Sequence, residues 1–330
     1  MSNLTIDIHA HTVVPEVTDL VRGEFDPRLD PFLRFGGEST VHNEGLARGL
    51  MPMLTDPRRR LSTMDRQGVG VQAVSIAPPQ YPYWAGPDLG TEIAGLQNDA
   101  LAALVAAHPD RFIALGTLPM QAPDRAIAEL ERISSTHGFR GVSINPSAQG
   151  VDYDASVYEP FWQRVAALDT VVVLHPNGYS DAARLTRYYM VNVVGNPLET
   201  TVALSRIILG GVLERHPGLK IVAVHGGGYL PVYADRMDHA FEHRPEVRAN
   251  ISRRPSEYLL ELYFDSVVFG RGLRALVERV GAEHVVMGSD YPYDMGEVDP
   301  VGRVERLGLA PAAHRLVVGE TAARLLGLPS

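Results

Sequence analysis

Eight short runs rich in β-branched and other apolar residues recur along the chain, most of them followed by a longer stretch of helical pattern, and few folds accept that alternation. The spacing predicts strands over Leu4 to His9, Val71 to Ile76, Arg111 to Thr117, Arg140 to Asn145, Thr170 to His175, Lys220 to His225, Leu259 to Phe264 and His284 to Ser289. The fifth and sixth are almost continuously apolar, as strands covered on both faces must be. Helices are expected between strands, as at Thr91 to Ala107, Asp124 to His137, Ser156 to Leu168 and Gly270 to Val280, with closing helices at Val301 to Leu307 and Pro311 to Leu326. Eight such units without a second nucleotide-binding half point to an α/β fold, the (β/α)8 TIM barrel, with a doubly wound open sheet as the alternative. A bare barrel takes roughly 250 residues. The surplus in this 330-residue chain is read as long βα-loop insertions and C-terminal helices on one domain spanning 1–330.

Four stretches are longer than ordinary connections: Thr12 to Pro57, Ala77 to Gly90, Pro176 to Pro197 and Tyr291 to Pro300. Each follows a strand, so in a barrel all four crowd the rim where active sites form. The first, approximately 12–57, is expected to cover a substrate. The second carries Tyr81, Tyr83 and Trp84, which suit either a wall for a planar ring or packing into the core.

The chain has no cysteine, so any metal must be held by histidine and carboxylate. Asp7-Ile8-His9-Ala10-His11 ends the first strand, and residues two apart on a strand share a face. His175 ends the fifth strand, His225 the sixth and Asp290 the eighth, all on one rim of a barrel. Three imidazoles and a carboxylate form a ligand set that zinc accepts. His225 precedes three glycines that let backbone and water approach closely, a suitable place for proton exchange. The other eight histidines read as structural or surface residues.

These features, together with Asp56-Pro57, Met64-Asp65, Gly68-Val69, Pro255-Ser256-Glu257-Tyr258, Phe264-Asp265-Ser266 and Gly288-Ser289-Asp290-Tyr291-Pro292, resemble the amidohydrolase superfamily. The likeness is to its decarboxylase branch, typified by α-amino-β-carboxymuconate-ε-semialdehyde decarboxylase. That resemblance implies a zinc-dependent, non-oxidative decarboxylase of an aromatic or ring-opened unsaturated carboxylic acid. It implies that His9, His11, His175 and Asp290 hold one Zn2+, with Mn2+ or another divalent ion as alternatives, and that His225 is the catalytic acid/base. It also implies that Arg48 binds the substrate carboxylate and that Arg236 reaches the neighbouring subunit's site in a homodimer. A metal-dependent hydrolase, lactonase or hydratase of the same superfamily is the second reading.

Binuclear members bridge two metals with a carbamylated lysine near the end of strand four, but Arg140 to Asn145 contains none. Lys220, the only lysine against 29 arginines, begins strand six on the opposite rim, so one metal is expected. Asn177-Gly178-Tyr179 stands where the semialdehyde decarboxylase has Trp after its His-Pro, a departure that leaves the metal ligands unaffected and the substrate open.

The partner expected is a small carboxylate. A net charge of −9 without a basic run argues against nucleic acid. No apolar run approaches the roughly 20 residues of a membrane span. Met1 to Asp7 lacks the basic start of a leader, so a cytoplasmic protein is expected.

Overall fold

The computed structural model describes residues 4–328; Met1 to Asn3, part of the stretch without a leader pattern, lie outside the described residues. Eight parallel strands follow one another in chain order around a barrel: β1 (Ile6–Thr12), β2 (Val71–Ile76), β3 (Phe112–Gly116), β4 (Gly141–Ile144), β5 (Val171–Leu174), β6 (Lys220–Ala223), β7 (Leu262–Asp265) and β8 (Val285–Val286). Backbone bonds from Ile8 N to Met287 O (2.9 Å), Asp290 N to His9 O (2.8 Å) and His11 N to Tyr291 O (2.8 Å) join the last strand to the first.

The strands alternate between two apolar layers. Val171, Val173, Val222 and Val224 fill the barrel interior with Ile6 and Ile8, above Ala322 and Leu325 of the last helix. Val172, Leu174, Ile221 and Ala223 face the surrounding helices. Burial on both sides is why these strands read as unbroken apolar runs.

The main helices are α1 (Thr40–Thr55), α2 (Pro57–Gln67), α3 (Pro87–Ala107), α4 (Pro123–His137), α5 (Glu159–Ala167), α6 (Asn196–Leu209), α7 (Leu230–His243), α8 (Gly272–Val280) and α9 (Thr321–Leu326). Asp56 caps α2 by accepting the N–H of Arg58, and Pro57 at the first helical position needs no partner for its nitrogen. No helix among the described residues is long and apolar enough to cross a membrane.

Several expected boundaries move. β1 starts at Ile6 and runs through Thr12, taking His11 into the strand. Residues 255–261 form a 3₁₀ helix opened by Pro255, so β7 begins at Leu262 and not at Leu259. The stretch expected as one loop over approximately 12–57 holds α1, preceded by the short helices Pro15–Leu20 and Pro31–Arg34.

The pairing of β1 with β2 contains a register shift between Asp7 and Ala10, where Asp7 lies opposite Gln72 and Ala10 opposite Val74. Three steps along β1 match two along β2, the geometry of a bulge. Ile6 and Ile8 face the interior below it. Strict alternation from them would send His9 and His11 outwards to the helices; the extra residue turns both inwards.

Candidate metal centre

The upper end of the barrel gathers the side chains named from strand ends. One oxygen of Asp290, Oδ1, lies 3.3 Å from His9 Nε2, 3.0 Å from His11 Nε2 and 3.9 Å from His175 Nε2. The four candidate ligand atoms lie within 4.8 Å of one another, and all four residues are buried. His225 Nε2 is 3.5 Å from the other oxygen, Asp290 Oδ2.

Each of the three candidate ligand imidazoles is held from behind, whereas His225 Nδ1 is buried without a partner. His9 Nδ1 lies 2.6 Å from Asp265 Oδ2, and His11 Nδ1 lies 3.1 Å from Ser75 Oγ. His175 Nδ1 donates to the Pro176 carbonyl at 2.8 Å, which fixes its proton there and leaves Nε2 a lone pair. Such partners orient ligating imidazoles and select the tautomer. Below the bulge, Asp7 accepts from His9 N (3.0 Å), Ser289 N (3.0 Å), Ser289 Oγ (2.6 Å) and Gln72 Nε2 (2.8 Å). Buried Arg60 donates to Gln72 Oε1 at 2.8 Å and to the His11 carbonyl, tying α2 to the site's floor. Burial pushes the Asp7 carboxyl up and Arg60 down to about 10.

The electrostatics suit a cation. Burial opposes charge on His9, yet Asp290 and Asp265 outweigh it and push its pKa up to about 10. Burial pushes His11 down to about 4 and His175 well below the ordinary range. Burial also opposes ionisation of Asp290, but His9 and the surrounding imidazoles hold its carboxyl well below the usual value. His9 Nε2 and His175 Nε2 are buried without a hydrogen-bond partner. Two orphaned nitrogens beside an ionised carboxylate fit a divalent metal, which would supply the positive charge that a proton on His9 supplies otherwise.

His225 and Asp290 both have left-handed backbones, with φ of 54° and 59°. Neither is glycine, and such conformations cluster where a side chain must be aimed. Val224 faces the interior, so continued alternation would turn His225 away; its positive φ brings the ring back. The three glycines that follow also have positive φ, and added β-carbons would meet Val268, Phe264 and the Pro197 carbonyl. Their observed role is close packing of this turn.

A cavity of about 80 Å3 opens over His175, His225 and Asp290, walled by Phe32, Pro78, Pro79, Tyr189, Tyr293 and the amides Asn177, Asn192 and Asn196. Of the two readings open for Tyr81, Tyr83 and Trp84, packing away from the cavity is the one observed, and its aromatic wall is built by other residues. Tyr81 and Tyr83 are buried and stacked at 5.6 Å, bonded to Ser143 Oγ and Asn145 N, while Trp84 packs edge-on to Phe25. Asn192 and Asn196 arise from the π turn Val191–Gly195 and the start of α6, a local geometry that apolar periodicity does not reveal.

Arg48 lies on an exposed part of α1 and does not line the cavity. Arg236 is exposed on α7, also outside the cavity wall. Lys220 pairs with Asp169 at 2.6 Å at the start of β6, and no lysine lies on β4. Among the described residues a second close group, His239, Glu242 and His243, is exposed on α7, with Glu242 already engaged by Arg254.

The amidohydrolase family profile matches residues 6–328. The 2-amino-3-carboxymuconate-6-semialdehyde decarboxylase of Dictyostelium discoideum is 33% identical over 276 residues, covering 83% of this chain and 77% of that one. The crystal structure of 5-carboxyvanillate decarboxylase from Sphingomonas paucimobilis superposes with a TM-score of 0.87 at 26% identity, over 99% of this chain and 100% of that one. The dihydroxybenzoic acid decarboxylase of Polaromonas sp. JS666, solved with bound manganese and the inhibitor 2-nitroresorcinol, gives a TM-score of 0.83 at 26% identity over 98% and 97% of the two chains. On the family match and these likenesses, the chain belongs to the amidohydrolase family, in its decarboxylase branch.

Proposed function

We propose that the chain is a metal-dependent, non-oxidative decarboxylase of a small aromatic or ring-opened unsaturated carboxylic acid, with His9, His11, His175 and Asp290 binding one divalent ion, zinc first and manganese as the alternative. The observation that supports this best is the pair of buried, unpartnered nitrogens, His9 Nε2 and His175 Nε2, facing Asp290 Oδ1. When bound, the ion supplies Lewis acidity that lowers the energy of the negative charge developing as CO2 departs.

The protein's own groups account for the remaining work. The bond to the carboxyl carbon breaks with its electron pair staying on the skeleton carbon, CO2 leaves, and a proton must arrive at the skeleton carbon it vacates. His225 would deliver it from Nε2, which the 3.5 Å approach to Asp290 Oδ2 aims at the site. Phe32, Tyr189 and Tyr293 would clamp a planar skeleton and exclude water, while Asn177, Asn192 and Asn196 offer amides to its oxygens.

Arg48 and Arg236 remain carboxylate-binding residues in this reading. For Arg48 that requires movement of α1, because its side chain is exposed outside the cavity wall. For Arg236 it requires a second copy. Support for a homodimer comes from Tyr229, Val232 and Tyr233, which are 39%, 77% and 63% exposed and share one helical face with Arg236.

The test is product analysis of the metal-loaded protein with hydroxybenzoates and muconate-type acids in D2O. A decarboxylase releases CO2 and leaves deuterium on the vacated carbon. Incorporation of solvent oxygen without CO2 would favour the hydrolase or hydratase reading.

A further inference from the structure

A second cavity, of about 300 Å3, adjoins the first. Phe32, Pro79, Tyr189, Tyr293 and Asp294 line both, so the two share a wall, and a ligand reaching from the metal centre into the annex would pass between these side chains. Its outer wall is an apolar face of α1, with Leu46, Ala47, Leu50 and Leu54 opposite Val13 and Ala77. The metal cavity alone, at about 80 Å3, is smaller than the roughly 300–1,000 Å3 of ligand pockets, and the annex brings the joint space into that range.

The charged side chains bordering the annex have one sign. The annex is bordered by Glu44 and Asp294, and no lysine or arginine lines either cavity. With Arg48 outside the cavity walls, as observed, a second carboxylate placed there would lose its hydration without gaining a cation and would face two acidic residues. A hydrocarbon arm would bury against leucine and aromatic carbon, at about fourfold in affinity for each methylene fully removed from water.

We propose that the annex receives an uncharged alkyl or aryl substituent of the substrate, so that the site selects monocarboxylic acids bearing a hydrocarbon arm over compact or dicarboxylic ones. This rests on the decarboxylase reading for the identity of the carboxyl group that points to the metal.

The experiment measures binding by calorimetry and CO2 release in parallel, using the manganese-loaded full chain. Three acids are compared: a dihydroxybenzoate, its pentyl-substituted analogue, and its analogue carrying a second carboxylate. The pentyl acid should bind at least about tenfold more tightly than the parent, and the diacid more weakly than the parent. Filling the annex with Leu50→Trp, or with Ala47→Phe if the first variant fails to fold, should bring the pentyl-to-parent affinity ratio to within about twofold of one. A wild-type protein that binds the pentyl acid no better than the parent, or a ratio unchanged in a folded filling variant, would overturn the proposal. Tight pentyl binding without CO2 from any acid would sink the decarboxylase reading and leave the annex assignment standing. CO2 release without a pentyl preference would do the opposite.

Discussion

His9 Nδ1 lies 2.6 Å from Asp265 Oδ2, both residues being buried at the top of the barrel. The same carboxylate uses Oδ1 to accept the N–H of Gly226, the residue after His225, at 2.9 Å. One side chain on β7 therefore orients a candidate metal ligand on β1 and anchors the turn carrying the candidate acid/base.

Asp265→Asn retains the shape but replaces one carboxylate oxygen with an amide donor. Metal affinity or activity should fall by about 10- to 100-fold, the usual result of removing an outer partner of a ligating histidine. Competition with a chelator gives the affinity and circular dichroism checks the fold; wild-type affinity and activity together would refute this role.

Ligands and acid/base should separate cleanly. His175→Ala or Asp290→Asn should deplete bound metal, measured by atomic emission after dialysis. His225→Ala should retain metal while CO2 release falls by at least about 10²-fold. Metal loss in the His225 variant would instead make it a ligand.

Gly228 has φ of +66° and ψ of −126°, and a β-carbon there would lie 2.1 Å from the Pro197 carbonyl oxygen. Gly228→Ala combines a backbone conformation unsuited to L side chains with a collision against main chain. A loss of at least about 2 kcal/mol of stability is expected. An unchanged urea midpoint would show that the turn relaxes freely.

Asp30 caps the short helix Pro31–Arg34 through Leu33 N (2.8 Å) and accepts from the Asn177 amide (2.7 Å). Burial pushes its carboxyl up, with those two bonds opposing. The folded state therefore holds the proton more tightly than the unfolded chain, whose carboxyl titrates near about 3.9. This group's contribution to stability should fall as pH rises from that value through the raised native one. The Tm of wild type minus that of Asp30→Asn should consequently be more positive at about pH 4.5 than at about pH 7.5. A constant difference, or one growing with pH, would contradict the assignment.

Val232→Glu places a charge on the exposed α7 face beside Arg236. Light scattering should show a dimer for wild type and a shift to monomer for the variant, with lower activity if the partner's arginine completes the site. A wild-type monomer with full activity would remove Arg236 from the mechanism.

The strands were readable because burial on two faces leaves an apolar run in almost any register. The rim residues were readable because His175, His225 and Asp290 interrupt those runs at the same level. α1 was hidden by its polar exposed side and by Gly45, Gly49 and Pro52 within its span. Residues 255–261 looked extended because a short apolar run cannot distinguish a strand from a turn of helix. Phe32, Tyr189 and Tyr293 reach the cavity through loop paths set by tertiary packing, whereas the more conspicuous Tyr81 and Tyr83 are drawn into the core. Asp265 had a visible position but no visible task, since its partner His9 lies 256 residues away in the chain.

The register shift in β1 divides the strand's duties. Below it, Ile6 and Ile8 keep the parity that packing requires; above it, His9 and His11 adopt the parity that chemistry requires. The residues between Asp7 and Ala10 are Ile8 and His9, so a regular β1 in the same register would have room for only one of them facing inwards, the packing residue or the imidazole. The extra residue lets one strand carry both, joining by a single peptide unit the part of β1 that makes a barrel to the part that makes an enzyme.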